Sequence, residues 1–282
     1  MKHILGIIGS PRKGGNCEIA IKEISRHIPE PHELNLLRLA DFDILPCRGC
    51  YGCLAKDGKC VLSDDTPYIL DAMCRADAII LAAPTYFLGA NASLKRFIDR
   101  AFSFYAHIDR MWGTPSVGIC IAGIPGKEGH GLLGVENFLK IAMTDIKMTR
   151  VLYGALPGEV FLHEENRLAA ARIGSALFAP APEPDSPRCP VCGGDTFRFL
   201  GRNDVRCMLC SNQGTIDTSF GVPVFAVERS DHDFFISKSE VLKHRDWLVG
   251  MKNRFSELKA ALKSVSLDYA KDGIWIKPVS PS

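Results

Sequence analysis

The chain has 282 residues, 46% of them hydrophobic and 23% charged, with a formal net charge of +2. These values exclude a disordered chain, give no general attraction to nucleic acid or anionic lipid, and suit one sizeable core plus a smaller module. Eleven cysteines, with an opening apolar run broken by Gly9 and Pro11 before it reaches secretory-leader length, point to a cytoplasmic protein whose grouped thiols bind metal rather than form disulfides. No stretch is long enough to span a membrane, so neither membrane nor nucleic acid is an expected partner.

Apolar runs suited to buried parallel strands lie at residues 4–8, 34–39, 78–83, 117–122 and 149–156, with helical patterns at 17–27, 66–75, 91–105, 131–144 and 164–178. Alternation of this kind predicts an α/β domain over residues 1–178, a doubly wound five-stranded parallel sheet whose ligands sit beyond the carboxyl ends of the strands. The first strand runs into Gly9-Ser10-Pro11-Arg12-Lys13-Gly14-Gly15-Asn16-Cys17 and then a helix. Exposed backbone N–H groups and a helix N-terminus suit a phosphate there. The loop lacks both the Gly-Lys-Ser/Thr of the mononucleotide P-loop and the Gly-x-Gly-x-x-Gly of dinucleotide folds.

Cys47, Cys50, Cys53 and Cys60 follow the second strand within fourteen residues. Soft thiolates at this spacing suit an iron–sulfur cluster; zinc, or thiols without a ligand, are the alternatives that spacing leaves open. After the third strand, Pro84-Thr85-Tyr86-Phe87-Leu88-Gly89 offers aromatic rings and turn residues, and after the fourth, Ala122-Gly123-Ile124 opens a glycine-rich loop. Three loops at one crevice, one made for phosphate and one for a flat ring, describe a mononucleotide such as FMN.

Four prolines between Ala179 and Pro187 make residues 179–188 an extended linker. A module at 189–220 follows, with Cys189-x2-Cys192 and Cys207-x2-Cys210 on either side of a hairpin through 196–200 and 205–206; two such knuckles converge on one tetrahedral metal, zinc in preference to iron. Residues 221–282 hold an amphipathic helix at about 237–265, opened by the capping pattern Ser237-x-x-Glu240 and striped with Val241, Leu248, Met251, Phe255, Leu258, Leu262 and Val265.

The phosphate loop, the cysteine loop ending in Asp64-Asp65, and Pro84-Thr85-Tyr86 followed by Leu94-Lys-Arg-Phe97-Ile-Asp99-Arg100 together resemble the iron–sulfur flavoproteins of the NADPH-dependent FMN reductase superfamily, across about residues 1–178. The resemblance implies a flavodoxin-like fold. It implies FMN phosphate contacts at Ser10, Arg12, Gly15, Asn16 and Cys17, and an isoalloxazine and ribityl site at Pro84, Thr85, Tyr86, Phe87 and Gly89, closed by Ala122, Gly123 and Ile124. It further implies a 4Fe-4S cluster on Cys47, Cys50, Cys53 and Cys60, and a homodimer or higher oligomer. The segment bearing Cys189, Cys192, Cys207 and Cys210 is similar to a zinc ribbon. The expected activity is electron transfer between cluster and FMN, fed by a ferredoxin-like or NAD(P)H donor. An NAD(P)H-dependent FMN or quinone reductase without a cluster, and a redox-responsive binding module acting through the ribbon, are the alternatives.

Overall fold

A computed structural model describes residues 1–54, 57–180, 186–219 and 221–276, so the middle of the expected linker, 181–185, lies outside the described residues. Five parallel strands, β1 (Lys2–Ile8), β2 (His32–Arg38), β3 (Ala78–Tyr86), β5 (Pro115–Ala122) and β6 (Asp145–Tyr153), stand in the order β2-β1-β3-β5-β6. This is the flavodoxin arrangement, with its switch point between β1 and β3. A two-residue strand, β4 (Gly89–Ala90), folds back antiparallel on the end of β3 and makes the sheet six-stranded.

Helices α1 (Asn16–Arg26) and α6 (Glu164–Ala176) cover one face of the sheet; α2 (Thr66–Arg75), α3 (Ala92–Ile98), α4 (Ile108–Met111) and α5 (Gly131–Ile141) cover the other. The i, i+3, i+4, i+7 spacing of Cys17, Ala20, Ile21 and Ile24 turns one stripe of α1 onto Ile4, Ile8 and Ile80. On the opposite face, Phe97, Phe104 and Phe138 pack with ring centroids 5.4 to 6.5 Å apart.

Two helices are shorter than their patterns predict. The run at 91–105 breaks after Ile98 into a 3-10 turn at Ala101–His107, because the Ser103 hydroxyl donates to the Arg100 carbonyl at 2.8 Å and tightens the chain while the Arg100 side chain is drawn inward. Helix α5 stops at Ile141: Met143 takes a left-handed φ of 61°, and the Thr144 hydroxyl donates to the Leu139 carbonyl at 2.8 Å. The fifth strand starts and ends earlier than 149–156, since Asp145 is already in register with Pro115.

The second module is a four-stranded antiparallel sheet, β7 (Phe197–Gly201), β8 (Asp204–Cys207), β9 (Gln213–Asp217) and β10 (Val224–Val227), in the order β10-β9-β8-β7. The expected limit at residue 220 falls inside this sheet. Phe197 and Phe225 stack at 3.7 Å between its outer strands. The last helix, α7 (Lys238–Asp268), is capped by Ser237, whose hydroxyl accepts the Glu240 N–H at 3.3 Å. Val241 and Leu248 join the core of the first domain, whereas Phe255, Leu258, Leu262 and Val265, expected on the same packed stripe, are exposed. No described helix is long and apolar enough to cross a membrane.

Candidate functional site

The carboxyl edge of the sheet gathers four loops. The first leaves β1 with the Gly9 N–H donating to the Ala82 carbonyl at 2.8 Å, and the Asn91 amide donating to the Gly9 carbonyl at 2.7 Å. Ser10 is buried and its hydroxyl accepts the Arg12 N–H at 3.2 Å. Gly14, at a φ of 64°, donates its N–H to Glu18 at 2.9 Å. That carboxylate also meets Lys22 and Arg38, and the Lys22 hydrogen bond, helped by the Gly14 N–H, holds it down to about 2. The loop is thus pinned in one shape, with the unpaired first-turn N–H groups of α1 at its end.

The Asn16 side chain is tied into the loop after β6. Its amide donates to the Gly154 carbonyl at 2.8 Å, and its oxygen accepts the Gly158 N–H at 2.8 Å. Cys17 is 2% exposed, and burial pushes its thiol up to about 12, leaving it neutral. Any anion at this turn is therefore met by backbone N–H groups and by Arg12, whose exposed guanidinium has no hydrogen-bonding or charged partner among the described residues.

Ser10, Arg12, Gly15, Asn16 and Cys17 line one cleft, and across it stand Pro84, Thr85, Tyr86 and Gly123. The Thr85 hydroxyl lies 2.9 Å from the Cys120 sulfur, a thiol that burial pushes up to about 11. The remaining expected ring contacts fall elsewhere. Phe87, with a φ of 48°, points fully into solvent; Gly89 is buried against the His130 ring; Ala122 is buried in the strand; Ile124 is exposed at the rim. The cleft's further lining comes from Ile121 and from Gly154, Ala155 and Pro157, after β6. Reading that strand through to residue 156 hides this loop, although Gly154-x-x-Pro157-Gly158 is a turn signal in the same position as the others. Gly154 has to be glycine: a Cβ there would stand 2.7 Å from the Val160 nitrogen and 3.2 Å from the Asn16 amide.

Cys47, Cys50, Cys53 and Cys60 line a separate cavity, walled by Arg100 and Phe102. The ends of their loop are clamped from outside the cysteines. The Asp64 carboxylate, fully shielded, accepts the N–H groups of Leu45 at 2.9 Å and Thr66 at 3.1 Å and pairs with the buried Arg100, which also donates to the Leu45 carbonyl at 2.9 Å. Burial would raise the Asp64 carboxyl; the Arg100 guanidinium and the two N–H groups hold it below the usual carboxylate range. Backbone N–H groups of Gly49 and Leu62 approach the Cys47 and Cys60 sulfurs at 3.4 and 3.5 Å. Burial, then its sister cysteines, raise the Cys53 thiol.

The other four cysteines are arranged differently. Among the described residues, only the sulfurs of Cys189, Cys192, Cys207 and Cys210 all lie within 4.8 Å of one another. Cys189 and Cys210 are 3.9 Å apart, Cys192 and Cys207 3.5 Å. A tetrahedral zinc site with Zn–S bonds of about 2.3 Å has sulfur–sulfur edges of about 3.8 Å, so this group could hold one metal ion. The module packs beside α5, where buried Glu136 accepts the Thr149 hydroxyl at 2.7 Å while its second oxygen has no partner; burial pushes the carboxyl up to about 7.

Sequence and structure comparisons agree with this architecture. The profile of the NADPH-dependent FMN reductase family matches residues 2–156. An iron-sulfur flavoprotein of Archaeoglobus fulgidus is 33% identical over 178 residues, 61% of this chain and 77% of that one. Iron-sulfur flavoprotein MJ1083 of Methanocaldococcus jannaschii is 42% identical over 99 residues, so that the match spans 35% of this chain and about half, 51%, of the relative. Among solved structures, a flavone reductase superposes with a TM-score of 0.75 at 18% identity, covering 98% of this chain and 100% of that one, which extends the shared fold through the cysteine sheet and α7. The chain belongs to the NADPH-dependent FMN reductase family.

Proposed function

We propose that the chain passes electrons between FMN, held in the cleft at the sheet's carboxyl edge, and a 4Fe-4S cluster held by Cys47, Cys50, Cys53 and Cys60. One observation carries this reading: the four loop thiols surround a single cavity, yet no three of their sulfurs come within the 4.8 Å that a lone ion needs. Four thiols on one cavity match the ligand number of a 4Fe-4S cluster. The buried Arg100 beside Cys60 offsets the negative charge of cluster thiolates, and the N–H···S contacts at Cys47 and Cys60 are the kind that tune cluster potential. Phosphate binding falls to Arg12 and the α1 N-terminus, and ring binding to Pro84, Thr85, Tyr86 and Gly123. When bound, the cluster supplies single electrons and FMN one or two; the protein fixes their positions, the local charge and the access of solvent.

Zinc in the Cys189, Cys192, Cys207 and Cys210 site is part of the same proposal, supported by the sulfur spacing and by closure of the site on all four sides by thiols. NADPH or a small ferredoxin-like protein is the proposed donor, and a homodimer or higher oligomer the working state. A second reading, reduction of a quinone or free FMN by NAD(P)H without a cluster, draws support from the open rim at Tyr86 and Ile124, where a flat acceptor can reach a bound ring. Metal analysis and an absorption spectrum of anaerobically purified protein decide between them. About four irons per chain beyond the ribbon metal, with brown colour, are expected; a yellow, iron-free protein that oxidises NADPH rapidly would establish the second reading.

A further inference from the structure

A cavity of about 390 Å³ lies where three parts of the chain meet: the 3-10 turn and α5 of the flavin domain, the second cysteine knuckle, and the segment leading into α7. It shares no residue with the cleft at the sheet's carboxyl edge. Its size falls within the range of small-molecule sites, which favour domain junctions. Its walls are aromatic: Phe102, Tyr105, Phe234 and Phe235, with Tyr105 and Phe235 centroids 6.0 Å apart. Slots of this kind accept flat rings.

The polar side chains on these walls are Asp99, Tyr105, Asn137, Lys140, Ser211 and His244, and Tyr105 and Lys140 keep donors in hand. The Tyr105 hydroxyl makes no hydrogen bond among the described residues, and burial raises its pKa, so it stays a neutral O–H. Lys140 donates one of its three protons to the Phe235 carbonyl at 3.2 Å and keeps two. The one carboxylate, Asp99, is paired with Lys95. His244 engages His232 through Nδ1 at 2.7 Å, which leaves Nε2 as its remaining polar atom. The aromatic lining and the unused donors of Tyr105 and Lys140 suit a flat apolar ligand that carries an acceptor oxygen.

We propose that this cavity binds a planar fused-ring aromatic carbonyl compound, stacked among Phe102, Tyr105 and Phe235 and held at its oxygen by Tyr105 and Lys140. Phe102 is also a wall of the cavity formed by the first four cysteines, and its ring lies 5.0 Å from that of Tyr51 in the same loop. A ligand here is separated from that loop by one aromatic ring.

Equilibrium dialysis of 7-hydroxycoumarin against the full-length, FMN-loaded protein tests the proposal. Saturable binding of one molecule per chain is expected, with the flavin absorption band unmoved. Asn137→Trp, which fills the cavity from α5, should weaken binding by at least about tenfold, and Tyr105→Phe, which removes one hydrogen bond, by about fivefold. FMN and metal content should be retained in both. Tyr105→Phe decides the matter if the bulkier variant misfolds, because its hydroxyl supports nothing else in the fold. Absence of saturable binding, wild-type affinity in Tyr105→Phe, or a flavin band that shifts as the coumarin binds would overturn the assignment.

Discussion

The chain holds two sets of four cysteines, and the protein around them answers opposite problems. In the small antiparallel sheet the thiols are most of the core: Cys189, Cys207 and Cys210 are buried with Val227 in one cluster, and Val205 is the other buried apolar residue of the sheet among those described. In the loop after β2 the thiols sit at the surface of an already complete core, and the Asp64–Arg100 pair fastens the loop ends through Leu45 and Thr66 while also reaching Cys60. Under the proposed assignments, metal would be a folding element at one site and a passenger at the other. Number and spacing of cysteines do not reveal this difference; the neighbours do.

The sharpest way to break the comparison is Cys207→Ser. Structural zinc sites of this type contribute apparent binding energies of about 10 kcal/mol or more to folding, so the second sheet should unfold, the ribbon metal should be lost and protease should cut near residue 190, while FMN remains bound. An unchanged digestion pattern would show that the sheet folds without its metal. Next in size is Arg100→Met, which strands the shielded Asp64 charge and should destabilise the first domain by about 3–5 kcal/mol in urea unfolding. Its pH dependence adds a check. Asp64 titrates below its ordinary 3.8 in the fold, so its contribution is present above that value and lost as pH falls through the folded one; the variant should lack this acid-labile portion.

Glu136→Gln gives a smaller effect of opposite sign in pH. The wild-type carboxyl is raised to about 7 from 4.5. Stability should thus fall as pH rises between these values, by up to about 3 kcal/mol, and the variant should be flat across the same window. Cys50→Ala should change stability least, by within about 1 kcal/mol, because Cys50 is exposed. It should nevertheless remove the loop's iron and leave FMN in place. Full iron retention in that variant would take Cys50 out of the ligand set.

Much of the fold was legible because a buried parallel strand has no polar face: Ile4 to Ile8 and Ala78 to Ala83 announce themselves. Both capping at Ser237 and the two knuckles follow from local chemistry. The site was less legible because its decisive contacts are distant in sequence. Asn16 looks like a phosphate contact in the sequence, and nothing there shows that its amide also ties Gly154 and Gly158, 138 and 142 residues on. Arg100 reads as one more basic residue on a helix, and only the meeting with Asp64, 36 residues away, reveals a clamp. Strands β9 and β10 escaped because Gln213–Asp217 and Val224–Val227 are short and half exposed. The outer part of α7 misled in the other direction: its heptad spacing continues beyond Leu248, but the body of the molecule does not.

Gly129 has no room for a side chain. With a φ of 56°, it stands so close to Leu88 that a Cβ would lie 2.4 Å from the Leu88 oxygen, which also accepts the His130 N–H at 2.7 Å. The turn after β3 and the loop after β5 thus meet backbone to backbone. A side chain at position 129 would therefore displace both segments at once, so the conformation of one is tied to that of the other at this glycine.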